Sequence, residues 1–158
     1  MNQIPKLLLN IFRKYDTPTI LNALDILDSK FRTRGFTTEQ MICVDTTLPP
    51  IVGYARTATI SASSKVDPNT KLDRSLAYYE YVSSGTAPCI SVIQDVDENA
   101  GFGAFWGEVN SNIHNALGVI GVVTNGSVRD LDVLSAGFQV LAGKIGPGHA
   151  YVRIEETG

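Results

Sequence analysis

The chain is poor in the residues that make covalent or metal frameworks: 158 residues include two cysteines, one tryptophan and two histidines. Cys43 and Cys89 lie far apart and belong to no C-x-x-C pair or Cys/His ligand spacing. That pattern argues against a disulfide scaffold or a structural zinc and for two free thiols in a reducing compartment. Long apolar runs are missing as well. The segment KLLLNIF near the start is too short to cross a bilayer, is followed by charged Arg13, Lys14 and Asp16, and has no small-residue cleavage site. A cytoplasmic location with no membrane partner is the expectation. Basic residues are not clustered either: 13 Lys and Arg stand against 16 Asp and Glu, for a formal net charge of −3. Without a phosphate-tracking basic stripe, nucleic acid is not an expected partner. A nucleotide fingerprint is lacking too, because Gly101-x-Gly103 is followed by Trp106 where G-x-G-x-x-G needs its third glycine. That absence also weighs against an adenosyl-methionine-dependent methyltransferase.

What the chain does contain is enough apolar material for one core. Hydrophobic residues make up 44% and charged residues 18%, the balance of an ordinary globular domain, and the length fits a single one over residues 1–158. Pro5 to Tyr15 has the spacing of an amphipathic helix, and Thr17-Pro18 supplies an N-cap and first-turn proline for a second. MICVD and IVGYARTATI read as strands, and Ser61 to Asn69 as a surface loop. Leu72 to Val82 reads as a helix, APCISVIQD as a strand, and Glu98 to Gly107 as a glycine-rich connector. EVNSNIHNAL reads as a helix stopped by Gly118. FQVLAG and AYVRIEE close the chain as strands. Helices and strands interleave, so the class is α/β or α+β with a layered core.

The stretch GVIGVVTNGSVRDLDVLSAGF carries the most information. Val119, Ile120, Val122 and Val123 form a buried strand, Asn125-Gly126 reads as a turn, and Val128, Leu131, Leu134 and Phe138 recur at helical spacing. Arg129 and Asp130 are then expected at the start of a helix. One explanation of them is purely structural: Ser127 is the N-cap, Asp130 an imperfect capping-box partner worth about 0.3–1 kcal/mol, and Arg129 a solvated neighbour. The other explanation is functional. Glu108 also stands at a helix start, and residues 109 to 128 between it and Arg129 are one helix plus one strand, an excursion that returns the chain to the same edge. Glu108 and Asp130 would then face one cleft with Arg129 and the free amides of Val109 and Asn110. Carboxylates suit a hard divalent cation that keeps waters, and free helix-start amides suit a substrate carboxylate. A metal next to such an anion hole suits a 2-oxo acid, which can chelate through its carboxylate and keto oxygens. His114 reads as a surface or half-buried histidine, His149 as a loop residue without a partner, and Tyr78, Tyr79, Tyr81 and Trp106 as core and interface aromatics.

WGEVNSNIHNALGVIGVVTNGSVRD resembles the signature of the RraA-like proteins, which include the class II 4-hydroxy-4-methyl-2-oxoglutarate aldolases with oxaloacetate decarboxylase activity. Aldolase members carry an acidic residue, twenty intervening residues and then Arg-Asp, and Glu108, Arg129 and Asp130 match that pattern. TPTILNAL, IVGYARTAT and GFQVLAG extend the likeness over most of the chain. Asn125 and Asn22 stand where relatives usually carry Asp, and the chain stops at Gly158 without the closing strands of many longer relatives.

The resemblance implies an α/β fold of three-layer β/β/α type assembled as a homotrimer or hexamer. It implies Mg²⁺ or Mn²⁺ held directly by Asp130 and through water by Glu108. Arg129 would contact the keto oxygen of a small 2-oxo acid, and the Val109 and Asn110 amides its carboxylate. The activity implied is C–C cleavage through a pyruvate enolate, as aldolase or oxaloacetate decarboxylase. The alternative is a non-catalytic regulator that binds a protein partner such as a ribonuclease.

Overall fold

A computed structural model describes residues 3–158. It is a mixed α/β protein built on one seven-stranded sheet of order β1-β6-β5-β3-β2-β7, with β4 paired to the end of β5. The strands are β1 (Ile42–Cys43), β2 (Tyr54–Ser61), β3 (Cys89–Asp95), β4 (Ala104–Trp106), β5 (Val119–Val128), β6 (Gln139–Ile145) and β7 (Arg153–Thr157). The four helices are α1 (Lys6–Phe12), α2 (Thr17–Leu27), α3 (Pro68–Ser83) and α4 (Glu108–Ala116). The central pairs β2/β3, β3/β5, β5/β6 and β4/β5 are parallel, while β1 and β7 run antiparallel along the two edges. No helix among the described residues is long and apolar enough to cross a membrane.

Period-2 alternation decides which face each strand buries. In β3, Cys89, Ser91, Ile93 and Asp95 point inward and alternate with less buried residues. Their face packs under α3, whose Tyr78 and Val82 are fully buried, and joins Ile60, Trp106, Val119, Val122, Val128, Val140 and Ile154 in the core. Ile90, Val123 and Leu141 point to the other face. There they line, with Ile20, Leu21 and Leu24 of α2, an apolar cavity of 590 Å³. The parallel sheet thus has helices against both faces, as such sheets require.

α3 starts at Pro68, inside the stretch expected to be loop, because Asp67 caps it by accepting from the Asn69 and Thr70 amides. Three further elements differ from what the residues predict. The N-cap of α2 is Asp16, whose carboxylate accepts from the Thr19 amide at 2.9 Å, so Thr17 is the first helical residue and Pro18 the second. The glycine-rich connector contains a strand, β4, where Ala104, Phe105 and Trp106 are all buried. Most consequential, Asn125-Gly126 is not a turn and no α-helix follows it. β5 continues to Val128, and the next element is a single 3₁₀ turn at Leu131–Val133. The strand survives because its pairing shifts between Thr124 and Ser127 instead of ending. Side chains absorb the irregularity. Asn125 accepts from the Asp95 amide at 2.7 Å and donates to the Asp95 carbonyl at 2.9 Å, while Thr124 Oγ1 accepts from the Gly126 amide at 2.9 Å. The helical spacing of Val128, Leu131, Leu134 and Phe138 has another cause. Val128 and Phe138 are buried from two different strand ends, and Phe138 stacks on Trp106 with ring centroids 5.6 Å apart.

Candidate active site at the ends of β4 and β5

The unit β4-α4-β5 brings the motif together. Trp106, last in β4, pairs with Val128, last in β5, and one step further the Arg129 amide donates to the Trp106 carbonyl at 2.9 Å. Arg129 therefore lies beside Gly107 as the chain leaves β4 for α4. Asp130 then takes the left-handed conformation, φ 55° and ψ 43°, a region that Asp tolerates better than most residues and that stores about 1 kcal/mol. This turns its carboxylate back toward the start of α4. Asp130 Oδ2 lies 3.4 Å from Arg129 Nε and 3.4 Å from the Glu108 amide, and both side chains of the Arg-Asp pair are 35% exposed. A Cβ on Gly107 would sit 2.6 Å from Asp130 Oδ2 and 3.1 Å from Arg129 Cγ. Only glycine allows the carboxylate so close to the backbone.

This geometry removes the capping account. Ser127 is buried inside β5 with no partner for its hydroxyl, and Asp130 precedes the 3₁₀ turn without making a side-chain cap. The pair is at the carboxyl end of a parallel strand, as expected, but the helix it faces is α4 and not one of its own.

Glu108 opens α4 and is exposed, as is Val109. The N-cap is Gly107, which has no side chain to cap with. The Glu108 amide turns to Asp130, and the Val109 and Asn110 amides have no acceptor among the described residues. Behind them Ser111, fully buried, donates to the Glu108 carbonyl at 2.9 Å and accepts from the Ser135 amide at 2.9 Å, which ties α4 to the segment after Asp130. The result is a half-open patch where the Asp130 carboxylate and the Arg129 guanidinium meet the start of α4, whose first turn carries two free N–H groups and the exposed Glu108 side chain. No group of three or more His, Cys, Asp or Glu residues among the described residues could hold a metal. Two carboxylates nonetheless suit Mg²⁺ or Mn²⁺, which keep several waters and take one or two protein carboxylates. Asp130 Oδ1 remains available, since the contacts above all fall on Oδ2.

The sequence reading missed the support beneath α4. His114 is fully buried, not at the surface. Burial holds its imidazole down at about 4, against a weaker opposing pull from the Asn110 carbonyl. Tyr78, whose hydroxyl lies 2.8 Å from His114 Nε2, is pushed above its ordinary value by burial. The spacing of His114 four residues after Asn110 on one helix face was the available signal. His149 is an exposed loop residue whose Nδ1 lies 2.8 Å from the neighbouring Ala150 carbonyl and whose own carbonyl accepts from the Val152 amide at 3.1 Å.

Comparison with known proteins agrees with this architecture. Residues 17–155 match the family model RraA-like, Aldolase/RraA. Among solved structures, an uncharacterized protein from Pseudomonas syringae pv. tomato str. DC3000 superposes with a TM-score of 0.72 at 18% identity, over 99% of this chain and 65% of that one. Streptomyces coelicolor RraAS2, an unusual member of the RNase ES inhibitor RraA protein family, superposes with a TM-score of 0.71 at 18% identity, over 99% and 73%. The chain thus spans about two thirds of the length of the first of these relatives. No curated protein matches it by sequence.

Proposed function

Because the chain belongs to the RraA-like family, we propose that it is a divalent-metal-dependent lyase. It would cleave a C–C bond of a pyruvoyl-containing oxo acid, as oxaloacetate decarboxylase or 4-hydroxy-4-methyl-2-oxoglutarate aldolase. The observation that carries this reading is the convergence of Arg129, Asp130 and the first turn of α4 across Gly107. Asp130 would hold Mg²⁺ or Mn²⁺ directly and Glu108 through water. When bound, the cation supplies Lewis acidity toward the keto and carboxylate oxygens of the substrate.

The chain's own groups do the rest. The Val109 and Asn110 amides receive the substrate carboxylate, aided by the positive end of α4. Arg129, a third exposed and always charged, faces the keto oxygen and balances the negative charge that grows there as the bond breaks. In decarboxylation the bond from C3 to the departing carboxylate breaks, its electron pair forms the enolate of pyruvate, CO₂ leaves, and a proton from water completes pyruvate. No added base is needed. Retro-aldol cleavage needs one to take the hydroxyl proton, so oxaloacetate is the first substrate to test.

The test is pyruvate release from oxaloacetate by purified protein with and without Mg²⁺, against the metal-only background. Release above background that chelator abolishes supports the lyase. Background-level release from folded protein supports the second reading, a non-catalytic regulator that binds a protein partner such as a ribonuclease. That reading draws on the likeness to RraAS2. Assembly as a homotrimer or hexamer is part of the proposal and is supported by apolar side chains left in solvent on α2, Ile26 and Leu27, each more than 80% exposed.

A further inference from the structure

The helix that offers its amides has no cap of the usual kind. A side-chain cap satisfies the N–H groups of the first turn and so holds that turn still. At α4 a cap would occupy the groups that a substrate carboxylate needs, and Gly107 provides none. An uncapped first turn frays, yet this one is anchored from its third residue. The Asn110 side chain accepts from the Tyr79 hydroxyl at 2.9 Å and donates to the Phe105 carbonyl at 2.6 Å. The Asn110 carbonyl lies 2.6 Å from His114 Nδ1. A carbonyl can only accept, so that nitrogen carries the proton, and Nε2 must then accept from the Tyr78 hydroxyl at 2.8 Å. Tyr78 and Tyr79 both belong to α3. The first turn of α4 is therefore bolted to α3 and to β4 through one asparagine, with the Val109 and Asn110 N–H groups left free.

We propose that Tyr79, His114 and the Asn110 side chain are positioning residues that stand in for a helix cap and set the affinity of the α4 amides for the substrate carboxylate. This rests on the lyase reading for its substrate but not for its geometry. None of the three groups needs to touch the reacting atoms. They act on binding that is equal in the ground state and the transition state, so their loss should appear in KM and not in kcat.

The first variant is Tyr79→Phe, which removes one hydroxyl and leaves the ring. Losing a hydrogen bond worth about 1 kcal/mol should raise KM for oxaloacetate about fivefold and leave kcat within about twofold. An unchanged KM accompanied by a lower Tm would show that Tyr79 is merely structural and would overturn the proposal. As a second pair, His114→Asn keeps an N–H for the Asn110 carbonyl and should recover most of the KM that His114→Leu loses; equal KM in the two variants counts against it. If the wild type releases no pyruvate, the lyase reading fails and the positioning role is read without turnover. Pyruvate is then titrated against the ¹⁵N-labelled protein, following the Val109 and Asn110 amide shifts. Saturable shifts in the wild type that weaken about fivefold in Tyr79→Phe uphold the proposal. Amides that ignore pyruvate in the wild type, or respond equally in both proteins, overturn it.

Discussion

The buried imidazole of His114 should make the protein's stability depend on pH in a way that can be worked out in advance. The ring is enclosed by Tyr78, Tyr79, Phe105 and Trp106, with centroids 4.5–6.2 Å away, and has no exposure to water. Burial lowers its value from 6.5 to about 4. In the unfolded chain the same ring takes a proton near 6.5, so below that pH the unfolded state binds a proton that the folded state refuses. The stability from keeping the ring neutral is complete above pH 6.5 and drains away as pH falls toward 4. The gap of about two and a half pH units, at about 1.4 kcal/mol each, comes to about 3 kcal/mol. Urea unfolding followed by the fluorescence of Trp106, the single tryptophan, measures this directly. The control is His114→Asn, which does not titrate; His149 is present in both proteins and cancels. The stability difference between the two proteins should shrink by about 1.4 kcal/mol per pH unit between about pH 6.5 and pH 4. A difference that stays constant over that range, or an imidazole NMR titration centred near 6.5, would refute the assignment of a neutral buried ring.

The other expectations concern the site and the sheet beneath it. Asp130→Asn keeps the tolerance for positive φ and removes the charge, so metal-stimulated pyruvate release should vanish while Tm stays within a few degrees; full turnover would remove Asp130 from the proposed site. Arg129→Ala should lower kcat by about a hundredfold or more with little change in unfolding free energy, and a collapse of folding instead would mark the guanidinium as structural. Gly107→Ala removes no reactive group, but its Cβ would meet Asp130 Oδ2 at 2.6 Å. Pyruvate release in that variant should fall, and unaltered release would show that the carboxylate need not lie against the backbone. Asn125→Ala unties both backbone groups of Asp95 and should cost about 2 kcal/mol in urea unfolding, whereas a change within about 0.5 kcal/mol would mean the β5 irregularity holds itself.

Much of this architecture is legible in the residues because it follows simple periods. The alternation of β3, the helical spacing of α3 and α4 and the positive-φ glycine after α4, Gly118 with φ +85°, all follow local rules. Of the residues singled out in the sequence, Arg129 and Asp130 do come to lie against Gly107 and the Glu108 amide at the start of α4. What local rules missed depends on partners distant in the chain. Asn-Gly signals a turn when its neighbours have nothing to pair with, but here β3 and β6 flank β5 and Asp95 supplies hydrogen-bonding groups for Asn125. Tertiary pairing then outweighs the turn propensity. β4 is only three residues long and is held by the end of β5, so no pattern inside it announces a strand. His114 looks like a polar residue on an amphipathic helix until Tyr78 and the Asn110 carbonyl satisfy both of its nitrogens.

The interval between Glu108 and Arg129 has a structural reason that goes beyond a motif count. Trp106 and Val128 are paired in register, and the hydrogen bond from the Arg129 amide to the Trp106 carbonyl continues that pairing by one residue. From there Gly107 faces Arg129, and the Glu108 amide faces the Asp130 carboxylate. Arg129 and Asp130 follow directly on β5, so shifting β5 by a single residue against β4 would carry both away from Gly107 and the start of α4. It would also place a different residue at the left-handed position, where most side chains are strained. The length of α4, its glycine stop and the ten residues of β5 must therefore total one value for the guanidinium and the carboxylate to meet the same helix start. The irregularity at Asn125 belongs to that requirement: the register shift against β6 between Thr124 and Ser127 falls between the β5 residues paired with β3, which end at Thr124, and those paired with β4, which begin at Ser127. The residues that tie it down act on the site by fixing where the strand ends.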